Sequence, residues 1–299
     1  MEINKINANT KMLGLIGNPV AHSLSPLLHG ELSRSYQEQY AYLAFPVAQE
    51  NLETAVKGAW ALGAQGLNVT VPYKREVMNY LSAVEPKAEL IGAVNTLVRM
   101  EAGYCGYNTD MPGLKKALKH DGICVAGANV VLIGAGGVAN AALCMLLEEE
   151  AANILILNRT KEKAAKLAEH FMPHYPNAVI RVASLQEDYI ALMDEISSER
   201  QWIAIQATSV GMHPQITETP IDAMEFYERI TEGVDLIFNP EETRFLSLIR
   251  QSGHKGYNGL KMLLFQGIIA YELWTGHKVE EDVAEKILTV LQEELKSRA

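Results

Sequence analysis

The stretch VVLIGAGGVANA, residues 130–141, joins an apolar run to closely spaced glycines and an alanine-rich segment. This order predicts a strand, a tight turn and then a helix. The spacing Gly134-x-Gly136-x-x-Ala139 is typical of dinucleotide-binding turns, in which the second glycine lets a pyrophosphate approach the backbone. Such turns also occur without a ligand. With a strand before it and a helix after it, the stretch predicts a dinucleotide site that includes Gly134, Gly136 and Gly137.

Strand-like and helical patterns alternate along the rest of the chain, which predicts an α/β fold with largely parallel sheets covered on both faces. The predicted strands are 12–16, 42–47, 66–70, 94–100, 129–133, 153–157, 178–182, 202–206 and 234–238. The predicted helices are 49–62, 138–148, 161–171, 185–196, 243–252, 260–275 and 279–296.

The helical patterns after residue 260 have no strand to follow, so they need an apolar surface to cover. We therefore expect two domains. The first, an N-terminal α/β substrate-binding and catalytic domain, comprises residues 1–110 completed by 260–299. The second, residues 111–259, is a Rossmann-type, doubly wound domain that binds the dinucleotide.

Composition excludes several classes of protein. The net charge of −10 and the pI near 5.4 argue against a nucleic-acid or membrane-surface partner. The first residues lack a cationic region leading into a long apolar segment, so no signal peptide is expected. Three cysteines without metal-like spacing indicate reduced thiols. A cytoplasmic protein is expected.

The end of the strand at 153–157 bears on the choice of dinucleotide. Proteins that bind NAD usually place an acidic residue there to hold the ribose 2′-hydroxyl. This chain instead has Asn158, Arg159 and Thr160, followed by Lys163. A guanidinium, a hydroxyl and an ammonium suit a 2′-phosphate, which predicts NADP. The alternative is a solvated helix start with Thr160 as N-cap.

A further cofactor contact is predicted in QATSVGM, residues 206–212. Ligands of doubly wound sheets lie at the carboxyl ends of strands, and Thr208 stands two residues after the end of the strand 202–206. A plain turn would have a similar sequence.

The loop GNPVAHSLSP, residues 17–26, carries two hydroxyls beside a predicted helix start. Ser25 before Pro26 is typical of an N-cap followed by the first helical residue, which leaves Ser23 without a structural role. A helix N-terminus with free hydroxyls is also an anion site. Ser23 and Ser25 are therefore candidates for a small carboxylate.

Three further segments place amides and hydroxyls on apolar strand ends. In NVTVPYK, Asn68 and Thr70 face the same side and Lys74 stands just beyond, either as a surface lysine or as a proton donor. GAVNTLV places Asn95 and Thr96 in an otherwise apolar strand, and GYNTDMPG places Asn108 and Asp110 before a helix. For Asp110 a helix N-cap is the structural alternative. The repeated pattern predicts a pocket that reads a polyol.

In this order the motifs GNPVAHSLSP, NVTVPYK, AVNT, GYNTD, GAGG, NRT, ATSVGM and GLKMLLFQG resemble the shikimate dehydrogenase family. The resemblance implies NADP-dependent reduction of 3-dehydroshikimate to shikimate in aromatic amino-acid biosynthesis, without a metal. It implies Lys74 and Asp110 as the catalytic pair and Ser23 and Ser25 around the carboxylate. The implied readers of the ring hydroxyls are Asn68, Thr70, Asn95, Asp110 and Gln266, and Gly259 and Met262 join the cofactor residues.

Three positions depart from the family pattern: Gln206 replaces an asparagine, Phe238 replaces a tyrosine, and Lys261 stands in the segment near the nicotinamide. A quinate/shikimate dehydrogenase that uses NAD(P) stays open as an alternative activity. A ligand-sensing module that kept the fold is the alternative of another class. The sequence leaves monomer and homodimer both open.

Overall fold

A computed structural model describes residues 6–196 and 201–298 of the chain. The chain forms two compact units, one of Met1–Gly113 with Leu264–Arg298 and one of Leu114–Leu263. The predicted boundaries, at residues 110/111 and 259/260, fall a few residues earlier in the chain.

The first unit contains a six-stranded mixed sheet in the order β2-β1-β3-β5-β6-β4. Strand β5 runs antiparallel to both β3 and β6, whereas β1 pairs in parallel with β2 and β3. The strands are β1 Lys11–Gly17, β2 Tyr40–Pro46, β3 Gly66–Val69, β4 Ala83–Val84, β5 Thr96–Met100 and β6 Gly103–Tyr107. The short strands β4 and β6 were not predicted from the sequence.

The helices of the chain are α1 Ser25–Ser35, α2 Leu52–Ala61, α3 Pro86–Ile91, α4 Asp110–Asp121, α5 Gly137–Glu148, α6 Lys161–Phe171, α7 Tyr189–Ile196, α8 Met224–Tyr227, α9 Arg244–Gln251, α10 Leu260–Thr275 and α11 Glu281–Arg298. The predicted helix 49–62 is a 3₁₀ turn at Gln49–Asn51 followed by α2. Of the last two helices, α10 packs on the first sheet and α11 packs against α1. Trp274 of α10 fills the space beside Gly66, where a Cβ would lie 2.0 Å from its indole nitrogen, and that nitrogen donates to the Leu97 carbonyl at 2.9 Å.

The second unit contains a parallel six-stranded sheet in the order β12-β11-β10-β7-β8-β9. Its strands are β7 Asn129–Ile133, β8 Asn153–Asn158, β9 Ile180–Ser184, β10 Trp202–Gln206, β11 Ile230–Asp235 and β12 Lys255–Tyr257. The strand predicted at 234–238 is therefore wrong in position: Phe238 lies beyond β11. Chain order reverses between β7 and β10, and ligands of doubly wound sheets bind at such a point.

Each sheet is buried against its helices by apolar side chains, as βαβ packing requires. The core of the second unit includes Val131, Leu155, Trp202, Phe226 and Phe245, all nearly inaccessible to solvent. The α/β fold class is confirmed. None of the helices within residues 6–196 and 201–298 combines the length and the apolar character needed to cross a bilayer.

Candidate functional site

Lys74 and Asp110 form an ion pair in the first unit, with 2.8 Å between Lys74 Nζ and Asp110 Oδ2. Lys74 stands in the turn after β3, and Asp110 is the first residue of α4. Their side chains are 20% and 8% exposed, so the pair is shielded while the ammonium still reaches solvent. The two sequence-predicted catalytic residues thus lie within hydrogen-bonding distance.

The other oxygen of the Asp110 carboxylate is also held. Its Oδ1 accepts a hydrogen bond from Asn95 Nδ2 at 2.9 Å, and the same amide nitrogen lies 3.0 Å from Thr109 Oγ1. Gln266 Oε1 lies 3.4 Å from Asn95 Nδ2 and from Thr109 Oγ1. Asn95, Thr109, Asp110 and Gln266 therefore form one network, as the predicted polyol-reading pocket requires, and Thr109 is a member that the sequence reasoning missed.

The structural alternative for Asp110, a helix N-cap, is wrong. Asp110 is already helical, as the first residue of α4, and the backbone N–H of Met111 donates to Asn108 Oδ1 at 3.2 Å. Asn108 thus provides the capping oxygen two residues earlier. The Asp110 carboxylate is left to Lys74 and Asn95.

Asn68 joins this network with a fixed amide orientation. Its Oδ1 accepts from Tyr42 Oη at 2.8 Å, and its Nδ2 donates to the Asn95 carbonyl and to Thr96 Oγ1, both at 3.1 Å. Both amide hydrogens are used, so Asn68 can meet a ligand hydroxyl only with a lone pair of Oδ1. Thr70 lies nearby at the end of β3, and its hydroxyl has no hydrogen bond to any described residue.

Tyr42 was not predicted as a site residue. It is buried on β2 and stacks on His29 of α1, with 4.3 Å between ring centroids and 14° between planes. Burial lowers the pKa of His29 to about 3, so the imidazole is neutral at physiological pH. The sequence does hold a signal for Tyr42. Side chains alternate along a strand, so Tyr42 lies on the face of β2 opposite to the exposed Leu43.

The serine that caps helix α1 is Ser23, and not Ser25 as the sequence had predicted. Helix α1 begins with Ser25 as its first residue after Leu24, so Ser25 is not the N-cap. Ser23 Oγ accepts the backbone N–H of Ser25 at 3.1 Å and supplies the capping bond. Ser25 is buried, whereas Ser23 is half-buried. Both hydroxyls remain at the N-terminus of α1, where the helix dipole favours an anion.

In the second unit the glycine turn joins β7 to α5 as predicted. Gly134 has φ +115°, a conformation that favours glycine, and a Cβ there would lie 2.9 Å from Thr208 Cγ2. A Cβ at Gly136 or Gly137 would meet no atom within 4 Å. Open space therefore lies over the backbone of the first turn of α5, where a pyrophosphate would bind.

Two exposed cations follow the end of β8. Arg159 and Lys163 are exposed and form no ion pair with any described residue, whereas Lys161 between them pairs with Glu187 at 2.8 Å. Thr160 is the N-cap residue of α6 without a side-chain capping bond, and Asn158 Nδ2 donates to its carbonyl at 2.7 Å. Two free cations and a free hydroxyl suit a phosphate.

Gly259, at the start of α10, permits a close backbone approach: a Cβ there would lie 2.2 Å from the Leu236 carbonyl oxygen. Met262 is buried on the first turn of this helix. Lys261, which departs from the family pattern, forms an ion pair with Asp121. Its ammonium is therefore held by a carboxylate of its own unit.

The fold and these two sites define an α/β protein whose second unit carries a dinucleotide-type turn at the switch point of a doubly wound sheet. Three family models match the chain. Residues 15–97 match the shikimate dehydrogenase substrate binding domain, 115–203 match shikimate/quinate 5-dehydrogenase, and 259–289 match the shikimate 5′-dehydrogenase C-terminal domain.

Individual relatives agree with the family models. The shikimate dehydrogenase (NADP⁺) of Caldanaerobacter subterraneus is 43% identical over 95% of this chain and 98% of its own. The crystal structure of the Listeria monocytogenes shikimate 5-dehydrogenase with shikimate and NAD has a TM-score of 0.85 at 33% identity, covering 95% of this chain and 98% of that one. The Thermus thermophilus enzyme with NADP(H) and shikimate has a TM-score of 0.80 at 34% identity, covering 94% and 99%. The chain belongs to the shikimate dehydrogenase family.

Proposed function

We propose that this protein catalyses the reversible, NADP-dependent reduction of 3-dehydroshikimate to shikimate, a step of aromatic amino-acid biosynthesis. The observation that carries the proposal is the ion pair between Lys74 and Asp110, set inside a network of amides and hydroxyls. This arrangement supplies a proton donor beside groups that read ring hydroxyls. Relatives over nearly the full chain bear the corresponding name.

In the proposed reaction NADPH supplies a hydride to the C3 carbonyl carbon of the substrate. The Lys74 ammonium donates a proton to the oxygen at C3, and in the reverse direction the Lys74 amine takes that proton back. Asp110 keeps the ammonium in place at 2.8 Å and accepts a hydrogen bond from the reacting hydroxyl through a remaining lone pair. Asn95 orients Asp110 through its other oxygen.

The remaining polar groups of the first unit would hold the substrate. Ser23 and Ser25, at the N-terminus of α1, would bind the carboxylate. Asn68 would accept a hydrogen bond from a ring hydroxyl, because both of its amide hydrogens are already used. Thr70, Asn95 and Gln266 complete the set.

The second unit fits NADP. Gly134, Gly136 and Gly137 leave the backbone of the turn open to a pyrophosphate, and Thr208 lies beside Gly134. Arg159 and Lys163 would bind the 2′-phosphate together with Thr160, and Asn158 shapes this segment through its bond to the Thr160 carbonyl. Gly259 and Met262 complete the predicted cofactor residues.

A quinate/shikimate dehydrogenase that uses NAD(P) is the alternative activity. Phe238 supports it, since a phenyl ring lacks the hydroxyl of the tyrosine in the shikimate dehydrogenase pattern. The free cations Arg159 and Lys163 support NADP over NAD. A ligand-sensing module would not need the intact pair of Lys74 and Asp110.

The test is the initial rate of dinucleotide reduction by the full chain with shikimate or quinate, each with NADP⁺ or NAD⁺. We expect shikimate with NADP⁺ to give the highest kcat/KM. Faster turnover of quinate with NAD⁺ would replace the proposal with the alternative activity. Binding of NADP⁺ without turnover of either substrate would support the sensing module.

Two further expectations belong to this proposal. The cysteines Cys105, Cys124 and Cys144 are free thiols, which supports a cytoplasmic location. A homodimer is a prediction that sedimentation velocity of the purified protein would test.

A further inference from the structure

Asp235 is a fully buried carboxylate of the second unit. It is the last residue of β11, has no exposed surface, and forms no ion pair with any described residue. Burial raises its pKa to about 6, against the hydrogen bonds that favour the ionised form. An uncompensated buried carboxylate costs stability, so stability alone does not account for its presence.

Three donors from three positions converge on this carboxylate. Thr243 Oγ1 donates to Oδ2 at 2.6 Å, the backbone N–H of Ile237 donates to Oδ1 at 3.0 Å, and Gln206 Nε2 donates to Oδ1 at 3.3 Å. A carboxylate accepts all three at once, whereas an amide or hydroxyl has fewer acceptor sites.

Gln206 extends the network into the loop after β10. Its Oε1 accepts the backbone N–H of Thr208, and its Nε2 also donates to the Val210 carbonyl at 3.1 Å. This loop contains Thr208, whose methyl group lies beside Gly134, 2.9 Å from the place that a Cβ there would occupy. Gln206 thus joins Asp235 to the dinucleotide turn.

The other donors lead to the remaining loops. The Ile237 carbonyl accepts the backbone N–H of Gly259 at 2.9 Å, at the start of α10. Thr243 is the N-cap of α9, where its hydroxyl also accepts the N–H of Leu246 at 3.3 Å. One carboxylate therefore fixes the loops after β10 and β11 and, through Ile237, Gly259.

We propose that Asp235 is a positioning residue of the dinucleotide site, which holds Thr208 and Gly259 where NADP binds. The inference rests on the proposed function, because it takes these two residues as cofactor contacts. Asp235 itself lies beneath the loops and acts through Gln206 and Ile237.

The experiment compares Asp235→Leu, Asp235→Asn and Thr243→Val with the wild-type chain. It measures the Kd of NADP⁺ by fluorescence titration, and kcat and KM for NADP⁺ and shikimate. We expect Asp235→Leu to raise the Kd and KM of NADP⁺ at least about tenfold, and Thr243→Val about threefold, while KM for shikimate changes less than about twofold. Asp235→Asn keeps one oxygen for Gln206 and Ile237, so it should restore most of the affinity.

The matched control is Thr231→Val. Thr231 lies on the same strand β11, and its hydroxyl donates to the Trp202 carbonyl at 3.2 Å, near the start of β10 and far from the loops. This variant loses a comparable hydrogen bond, and its Kd for NADP⁺ should equal that of wild type.

An unchanged Kd in folded Asp235→Leu would overturn the proposal, as would a loss of kcat with both KM values unchanged. If Asp235→Leu does not fold, the Kd of NADP⁺ is compared between Thr243→Val and Thr231→Val. A higher Kd in Thr243→Val supports the proposal, and equal Kd values overturn it. The Kd does not require turnover, so a wild-type chain that binds NADP⁺ without oxidising shikimate would refute the proposed reaction while the affinities still test Asp235.

Discussion

The Lys74 ammonium lies 2.8 Å from the Asp110 carboxylate, although the two residues belong to separate segments of the first unit. Lys74 follows β3, and Asp110 begins α4. Asn95, next to β5, holds the second oxygen of the carboxylate at 2.9 Å. Three segments thus hold this ion pair, and single substitutions can test its proposed role in proton transfer.

Asp110→Asn is expected to lower kcat for shikimate oxidation by about 10²-fold or more, because an amide offers Lys74 one neutral oxygen instead of a carboxylate. Initial rates at saturating shikimate and NADP⁺ measure the effect. Asp282→Asn is the control, since its ion pair with Lys286 is exposed. A kcat within about twofold of wild type in Asp110→Asn would exclude Asp110 from the pair.

The choice of dinucleotide should depend on the free cations after β8. Replacing Arg159 and Lys163 together by alanine removes two charged donors to the 2′-phosphate, each worth about 1.5–3 kcal/mol. We expect KM for NADP⁺ to rise at least about a hundredfold while KM for NAD⁺ stays the same. Lys161→Ala is the control because Lys161 pairs with Glu187. Equal losses with both dinucleotides would contradict the assignment.

Tyr42→Phe removes the hydroxyl that holds Asn68 at 2.8 Å and keeps the ring that stacks on His29. Without this bond the Asn68 amide is held only through its Nδ2, so the position of its oxygen is less closely fixed. We expect KM for shikimate to rise about threefold to tenfold, and the free energy of unfolding to fall by about 0.5–1.5 kcal/mol. Steady-state kinetics and urea unfolding measure the two effects.

The control for this variant is Tyr227→Phe in the second unit. The Tyr227 hydroxyl donates to the Ile221 carbonyl and is likewise buried. The Tyr227→Phe variant should show a similar fall in the free energy of unfolding, with an unchanged KM for shikimate. A shared change in KM would show that the effect of Tyr42→Phe is not local.

The buried imidazole of His29 should make the protein sensitive to acid. Its pKa in the folded state is about 3, below the ordinary value of 6.5, so the unfolded state takes up the proton first as the pH falls. Stability is therefore lost below the unfolded pKa of 6.5, by about 1.4 kcal/mol per pH unit, until the folded pKa is reached. His29→Phe keeps a ring against Tyr42 and removes this loss.

Urea unfolding at about pH 7.5 and about pH 5 tests the His29 prediction. The wild type should lose about 2 kcal/mol more between these two pH values than His29→Phe does. The raised pKa of Asp235 makes its contribution to stability change with pH in the opposite direction. Asp235 is present in both proteins, so this contribution cancels when their losses are compared. Equal losses in both proteins would contradict a neutral, buried His29.

Much of the second unit could be predicted from the sequence. The strands Asn129–Ile133 and Trp202–Gln206 have the predicted bounds, since each is an apolar run closed by a turn signal. The strand predicted at 234–238 was displaced because the apolar residues after Asp235 continue past the last ladder hydrogen bonds. The apolar pattern of residues 234–238 indicates that the segment is buried. It does not indicate which of these residues pair with the neighbouring strand.

The first unit was less predictable. Strand β5 runs antiparallel to β3, which is distant in sequence, and to β6, which follows after only Glu101 and Ala102. The β6 sequence GYCGY is weakly apolar, so a search for apolar runs did not reveal this hairpin. The roles of Ser23 and Asn108 as capping groups also escaped local rules. Ser25 and Asp110 are equally good caps by residue type, so residue type alone does not show that each is already the first residue of its helix.

Turnover by Lys74→Ala tests the central claim most directly. Kd values for NADP⁺ and shikimate should stay within about threefold of wild type, while kcat for shikimate oxidation with NADP⁺ should fall by about 10²–10⁴-fold. Lys57→Ala, which breaks only an exposed pair with Glu53, should keep wild-type kcat. A Lys74→Ala protein that binds both ligands and retains wild-type kcat would contradict proton transfer by Lys74.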